Sequence, residues 1–407
     1  MRIENLVNCT ACHACFSICP KSAIVMSANN EGFLYPKIDG EKCIKCGLCE
    51  KVCPDIKPIK KECEDTKAYA AINKNEAIRL DSSSGGIFTA LAGKVIEEGG
   101  VVFGAKFASD FSVVHGWTEN VEGLTEFRGS KYLQSVIGNS YKDCKSFLAS
   151  GRKVLFSGTP CQIQGLKKYL DKEYENLLAV DFICHGVPSP LLWQKYIDYR
   201  AEKSRAKRGE IVKTAFRRKY DGWKLYSLSF TFANDSEYRA TLNKDPYMQI
   251  FLKDIALRES CYDCKCRGIA RPSDITLADF WGVQNVLPEM DDDKGTSFVI
   301  SHSDKGKNLL CELQNCGLKE IPVSDGAKFN SAAESSPKKP KQRDVFYADL
   351  EKRQFKQIVK KYATTPLYLR GYRFARRCAV KGVKVLIGKE NAIKLKKNAG
   401  EVASVNI

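Results

Sequence analysis

Cys9-Thr-Ala-Cys12-His-Ala-Cys15-Phe-Ser-Ile-Cys19-Pro20 and Cys43-Ile-Lys-Cys46-Gly-Leu-Cys49-Glu-Lys-Val-Cys53-Pro54 are one pattern written twice. Each half reads C-x2-C-x2-C-x3-C-P. Two copies of one unit within the first 60 residues predict an internal repeat with pseudo-two-fold symmetry. Each half is expected to hold a cysteine loop, a short helix ending near Cys-Pro, and a strand such as 23–27.

This spacing is that of bacterial two-cluster ferredoxins, in which the fourth cysteine of each run ligates the other cluster. Cys9, Cys12, Cys15 and Cys53 are therefore assigned to one 4Fe–4S cluster, and Cys43, Cys46, Cys49 and Cys19 to a second. Zinc sites prefer two CxxC pairs separated by a longer loop, and the x2-x2-x3 run fits them poorly.

The chain has 407 residues and 18 cysteines. It is long enough for two or three domains. It shows no signal-peptide h-region and no apolar run near the roughly 20 residues of a membrane span. A cytoplasmic protein is expected, where so many cysteines argue for metal rather than disulfides. Net charge is +17, but residues 338–407 hold 19 Lys and Arg against five Asp and Glu. The basicity thus belongs to the tail, and no nucleic-acid partner is expected of the body.

After a charged linker, 57–65, in which Cys63 reads as a free surface thiol, strands and helices alternate. Strands are predicted at 68–72, 101–107, 112–117, 153–156, 177–183, 274–279 and 297–302, with a hairpin at 215–232. Helices are predicted at 87–98, from 161 to 170, from 188 through 199, at 246–257 and to about 315. The expected fold class is an α+β ferredoxin-like two-cluster module (1–60), an α/β domain (67–323), and a basic, mainly helical C-terminal extension (324–407). Within the extension, 324–343 reads as a connector and 344–362 as a charged helix. Residues 365–387 form a basic amphipathic stretch suited to an acidic protein or a membrane surface.

Two stretches of the middle region suit phosphate or a planar ring. Ser82-Ser-Ser-Gly-Gly86 opens a helix, where small residues and free N–H groups favour an anion; taken alone, a lone Ser/Gly run is more often an ordinary Ser cap with a flexible turn. Gly129-Ser-Lys-Tyr-Leu-Gln-Ser135 brings a cation, an aromatic ring and hydroxyls together, as would a surface turn. Cys161 follows a predicted strand and opens a helix, and Cys184 ends the next strand. With Cys261 and Cys264 they can close a four-thiolate site for a 4Fe–4S cluster or zinc. Cys266 lies one residue beyond. Cys144, Cys311, Cys316 and Cys378 read as packing or surface cysteines, and His185 as a structural histidine.

Ser157-Gly-Thr-Pro-Cys161-Gln, Cys184-His-Gly-Val-Pro188 and Cys261-Tyr-Asp-Cys264 through Arg271-Pro-Ser-Asp-Ile-Thr-Leu-Ala-Asp-Phe-Trp-Gly282 carry a resemblance. With Gly129–Ser135, they make the chain similar to the coenzyme F420 hydrogenase/dehydrogenase beta subunit family, here behind a two-cluster ferredoxin domain. The resemblance covers about residues 1–320. It implies FAD contacts at Ser83, Ser84, Gly85, Gly86 and Lys131, with Phe280-Trp281-Gly282 as a wall of the flavin pocket. It also implies a third 4Fe–4S cluster on Cys161, Cys184, Cys261 and Cys264.

The implied function is an iron–sulfur flavoprotein oxidoreductase. Its donor is a redox protein such as ferredoxin. Its acceptor is an organic two-electron compound, deazaflavin-like or other, and a role in polysaccharide biosynthesis is one branch of the family. A non-catalytic electron-transfer subunit of a larger enzyme, or a zinc scaffold, are the competing readings.

Overall fold

The computed structural model describes residues 2–59 and 66–364. Cys63, Cys378 and the basic stretch 365–387 lie outside the described residues. The strands in chain order are β1 (Ile24–Ala28), β2 (Leu34–Ile38), β3 (Lys67–Asn73), β4 (Val101–Phe107) and β5 (Val113–Thr118). Then come β6 (Val154–Ser157), β7 (Leu177–Phe182), β8 (Ile211–Arg218), β9 (Ser227–Phe232) and β10 (Glu237–Thr241). Last are β11 (Ile275–Asp279), β12 (Ser297–Ser301) and β13 (Cys316–Ile321).

Eight strands form one mixed sheet in the order β13-β3-β12-β11-β7-β6-β4-β5. Its centre, β11-β7-β6-β4, is parallel. These strands read as near-continuous apolar runs because both faces are covered. Alternation still decides which face each side chain serves. Val102, Leu155, Leu178 and Val180 pack with Ile87, Leu91 and Val95 of the Ile87–Glu97 helix and with Leu309 and Leu310. Phe103, Phe156, Leu177 and Ala179 pack on the other face with Tyr141, Leu148, Ile163 and Leu166. Fully burying each such side chain contributes roughly 1.5–3 kcal/mol.

The N-terminal module docks on the second face. Cys12, Ala14 and Val52 belong to the same core as Tyr141 and Leu166. The tip of its β1–β2 hairpin is held from two sides. Gly32, at φ +84°, leaves no space for a Cβ, which would meet the Leu191 nitrogen at 2.6 Å. Glu31 accepts two hydrogen bonds from Arg343, both at 2.7 Å.

Two expectations need correction. The helix read at 246–257 ends at Phe251, because Leu252–Leu257 turns back to align with Val187–Pro188. The 344–362 segment is not one continuous charged helix. It is a helix Arg343–Lys352, followed by short turns to Ala363. Phe346, Leu350, Ile358 and Tyr362 bury its apolar side among Trp193, Tyr196 and Tyr247. Charge density hid this side, because its few apolar residues are spaced at helical intervals among Lys and Asp. The β2, β10 and β13 strands and the Ser140–Ala149 helix were not anticipated.

Candidate iron–sulfur and cofactor sites

The two cysteine loops are bent by the same local device. Ala11 and His13 have φ of 49° and 64°, and Lys45 and Gly47, at the matching positions, have 54° and 75°. Two left-handed residues per loop curl the chain so that its cysteines face inward. Glycine adopts this conformation without strain, whereas a side-chain-bearing residue is disfavoured there by roughly 1–2 kcal/mol. The Ala11 N–H points at Cys9 Sγ (3.4 Å) and the Ala23 N–H at Cys19 Sγ (3.3 Å).

Cys9, Cys12, Cys15 and Cys53 lie within electrostatic reach of one another. Burial pushes the Cys9 and Cys12 thiols up, and that of Cys53 up to about 11. Buried thiolates of this kind need a positive partner, which ligated iron would supply. Cys19, Cys43, Cys46 and Cys49 line a pocket of about 340 Å³, counted to its open mouth, with Lys21, Ile24, Ile44 and Leu48. Cys46 is exposed there and Ile44 is 58% exposed.

The strand ends build a third set. Strands β6, β7 and β11 run parallel, so the residues after Ser157, Phe182 and Asp279 share one edge, where α/β sheets bind ligands. Beyond Ser157 the chain enters the Pro160–Leu170 helix through a capping box, with the Gln162 side chain accepting from the Thr159 N–H at 2.9 Å. Cys161 therefore sits in the first helical turn. Cys184 follows β7 directly. Cys261 and Cys264 arrive on the Glu259–Asp263 turn.

All four line a pocket of about 530 Å³, again counted to its mouth. Thr10, Gln134, Arg258, Arg267 and the fifth thiol, Cys266, share the lining. The Val187 N–H faces Cys261 Sγ at 3.5 Å. Burial pushes Cys184 and Cys261 up to about 12, while contact with Cys266 draws Cys264 down. Among the described residues no three His, Cys, Asp or Glu side chains close tightly enough to hold a single ion. The cysteines surround open pockets instead, which suits a multi-iron cluster.

The first and third sets are neighbours. Thr10, between Cys9 and Cys12, lines the third pocket. Its N–H and hydroxyl donate to Asp55 Oδ2, both at 3.0 Å, and Gln134 Nε2 donates to its carbonyl at 2.8 Å. One turn below Cys161, Gly165 faces Cys12, and a Cβ there would meet Cys12 Sγ at 3.0 Å. Thr10, Gly165 and Arg258 were not anticipated, and Gln134, expected with its stretch 129–135 at a phosphate or planar ring, lines the third cysteine pocket instead.

The residues expected at FAD come together in part. Ser83 Oγ accepts from both the Ser130 N–H (2.6 Å) and the Ser130 hydroxyl (2.8 Å), joining the 82–86 and 129–135 loops. Ser84 Oγ donates to Thr296 O and the Gly85 N–H to Ser297 Oγ, so both are spent inside the fold. Gly86 caps the Ile87–Glu97 helix at φ +83°.

Lys131 Nζ is turned onto the carbonyls of Phe127, Arg128 and Gly129, and burial lowers it to about 7. Phe280 lies in the core against Phe298, whereas Trp281 stacks on Trp223 at 4.8 Å. Arg217, unforeseen, lies 4.3 Å from the Tyr226 ring and pairs with Asp279; its Nε and Nη2 are buried without a partner. Lys219 donates to Ser84 O at 2.8 Å.

Residues 151–324 match the family described as the C terminus of the coenzyme F420 hydrogenase/dehydrogenase beta subunit, and residues 8–55 match the 4Fe–4S dicluster domain. The stretch 151–324 is thus similar to the F420 hydrogenase/dehydrogenase beta subunit family, and it stands behind a two-cluster ferredoxin-type module. The chain is an iron–sulfur electron-transfer protein related to oxidoreductases.

Over 68 residues it is 39% identical to ketoisovalerate oxidoreductase subunit VorC of Methanothermobacter marburgensis, spanning 16% of this chain and 86% of that protein. Over 166 residues it is 26% identical to coenzyme F420-dependent sulfite reductase of Methanocaldococcus jannaschii, spanning 39% of this chain and only 25% of the relative. A chain of the xenon-derivatised F420-reducing NiFe hydrogenase complex from Methanosarcina barkeri aligns at a TM-score of 0.43 with 16% identity, over 73% of this chain and 89% of that one. Among the described residues no helix is long and apolar enough to cross a membrane.

Proposed function

We propose that this chain is a flavin-dependent oxidoreductase that conducts electrons inward from a protein donor such as ferredoxin to an organic two-electron acceptor, deazaflavin-like or other. Iron–sulfur clusters carry single electrons, and a flavin converts between one and two. Cys19, Cys43, Cys46 and Cys49 would hold the outermost cluster, where Ile44 and the exposed Lys21 and Lys45 receive the donor. Cys9, Cys12, Cys15 and Cys53 would hold the next. Cys161, Cys184, Cys261 and Cys264 would hold a third.

For FAD, the supporting features are the joined loops carrying Ser83 and Lys131, the N-terminus of the Ile87–Glu97 helix at Gly86, and the partnerless donors of buried Arg217. Ser84 and Gly85 would shape that site through backbone rather than side chain. The observation that carries the reading is that Thr10, flanked by Cys9 and Cys12, also lines the third pocket.

Anaerobic purification with an iron, sulfide and flavin count tests it. About twelve irons, as three four-iron clusters, and one FAD are expected. About eight irons without flavin would remove the third cluster and FAD together.

A second reading, an electron-transfer component of a larger enzyme, is favoured by the VorC relative, which is itself one subunit of an oxidoreductase. Turnover of a two-electron acceptor by the isolated loaded chain separates the two. The basic residues beyond 364 would serve an acidic partner in either case, or a membrane surface.

A further inference from the structure

Arg258 is the least expected charge in the interior. It is 1% exposed. Its Nε donates to Cys9 O (2.6 Å), Nη1 to Gln134 Oε1 (3.0 Å) and Nη2 to Leu34 O (2.9 Å). Its guanidinium lies 4.3 Å from the Tyr35 ring centre and 5.3 Å from that of Phe33. Every partner is neutral. Among the described residues no carboxylate forms an ion pair with it; Asp55, the buried acid near Thr10, feels its charge without touching it and is hydrogen-bonded instead to the Thr10 N–H and hydroxyl.

A buried cation with no directly paired carboxylate is disfavoured in ordinary protein interiors. Hydrogen bonds to three neutral oxygens recover only part of that. The missing negative charge has an evident source on both sides. Arg258 holds the carbonyl of Cys9 in the first set and lines the pocket of Cys161, Cys184, Cys261 and Cys264 in the third. Its own backbone positions the latter, since its N–H bonds Val187 O and its carbonyl accepts from the Cys261 N–H. Four thiolates outweigh the positive charge of a cluster core in both of its oxidation states, so each site is a buried anion when loaded.

We propose that Arg258 is the shared counter-charge of the two inner cysteine sites, raising the reduction potentials of both clusters together while leaving the outer site untouched. This rests on the cluster assignments above. The physical reason is that reduction adds negative charge, and a fixed cation in a low-dielectric interior favours the more negative state. A shared cation also moves both inner potentials in the same direction, which keeps the step between them small. The outer set lines its own pocket, which does not include Arg258 and has no cation in its lining other than exposed Lys21. Arg258 is a positioning and tuning residue, since it acts through the clusters and not on a substrate.

The test is an EPR-monitored redox titration of the anaerobically loaded full chain, comparing the parent with Arg258→Met, Arg258→Lys and Gln134→Glu. In Arg258→Met the two inner signals should move to lower potential by at least a tenfold change in the oxidised-to-reduced ratio, which is about 59 mV for one electron. Arg258→Lys should return them toward the parent values. The outer signal should stay in place throughout.

Gln134→Glu keeps the arginine and sets a carboxylate on its Nη1. It should lower the same two signals and carries the test should Arg258→Met not assemble. Unmoved inner potentials in a chain holding about twelve irons would overturn this inference alone. An equal shift of all three signals, or identical shifts in the Met and Lys variants, would also overturn it and leave Arg258 a structural tie. A parent chain with about eight irons would overturn the third cluster and this inference together.

Discussion

The first and second cysteine loops share every spacing and differ in almost everything around it. Thr10 is 6% exposed and its counterpart Ile44 is 58% exposed. Cys12 is 6% exposed, while Cys46 lies at the surface. His13 adopts a left-handed conformation inside the protein, and Gly47 adopts it near the surface without a side chain to bury. One local fold thus stands once at the surface and once inside the protein. The large domain makes the difference by covering one loop with the helices 140–149 and 160–170 and with Arg258, and leaving the tip of the other, at Ile44 and Cys46, exposed.

The largest expected contrast comes from removing one cysteine from each copy. Cys12→Ala and Cys46→Ala should each lose about four irons. Only Cys12→Ala should also lower the melting temperature strongly, because Cys12 belongs to the core that docks the module. Equal melting temperatures in the two variants would erase the proposed distinction between the inner and the outer copy.

Next comes Gly165→Ala, which forces a methyl group against Cys12 Cβ at 2.9 Å. Overpacking of this kind typically costs about 1–3 kcal/mol. Denaturant unfolding should show that loss, and the EPR line of the first cluster should change while that of the second does not.

Acid should also act on one copy alone. Burial lowers both His13 and His115 from 6.5 to about 4. A base with a depressed folded value is neutral in the native state while the unfolded chain takes up protons. The stability from each is therefore complete above about pH 6.5 and lost as pH falls toward 4. The slope is at most about 1.4 kcal/mol per pH unit for each histidine. His13→Gly, which copies the second loop, should flatten thermal stability between pH 6.5 and 4. An unchanged slope would show that His13 does not carry it.

The smallest effect belongs to the exposed copy. Lys45→Glu should leave stability within about 0.5 kcal/mol. It should slow reduction by an acidic donor several-fold at low salt, with the difference fading as ionic strength rises.

Legibility in the sequence followed the range of the interaction. The cysteine runs, the hairpin at 215–232 and the helix opening at Cys161 are local chemistry and were readable as letters. The strands of the central sheet were readable because parallel strands, buried on both faces, become apolar runs. Edge strand β13 was not, because Cys316–Ile321 is polar on the side away from the core. Arg217 sits in a hairpin strand and gains meaning only from Asp279 and Trp281, more than 60 positions along the chain. Ser84 and Gly85 were expected at FAD through the family resemblance, and the Ser84 hydroxyl and Gly85 N–H bond Thr296 and Ser297, residues that sequence distance concealed.

The spacing of eight cysteines carries an iron–sulfur module within 60 residues, since ligand geometry and left-handed turns are set by neighbours in the chain. The motifs at Cys161, Cys184 and Cys261 likewise point to a thiolate site and to the family. Which copy of the repeat faces solvent, that Thr10 touches the third pocket, that Gly165 admits Cys12, and that Arg258 stands between two cysteine sites were decided only when the chain closed on itself. Those contacts join residues as much as 249 positions apart. They depend on how an eight-stranded sheet presents its carboxyl edge, which no local pattern encodes.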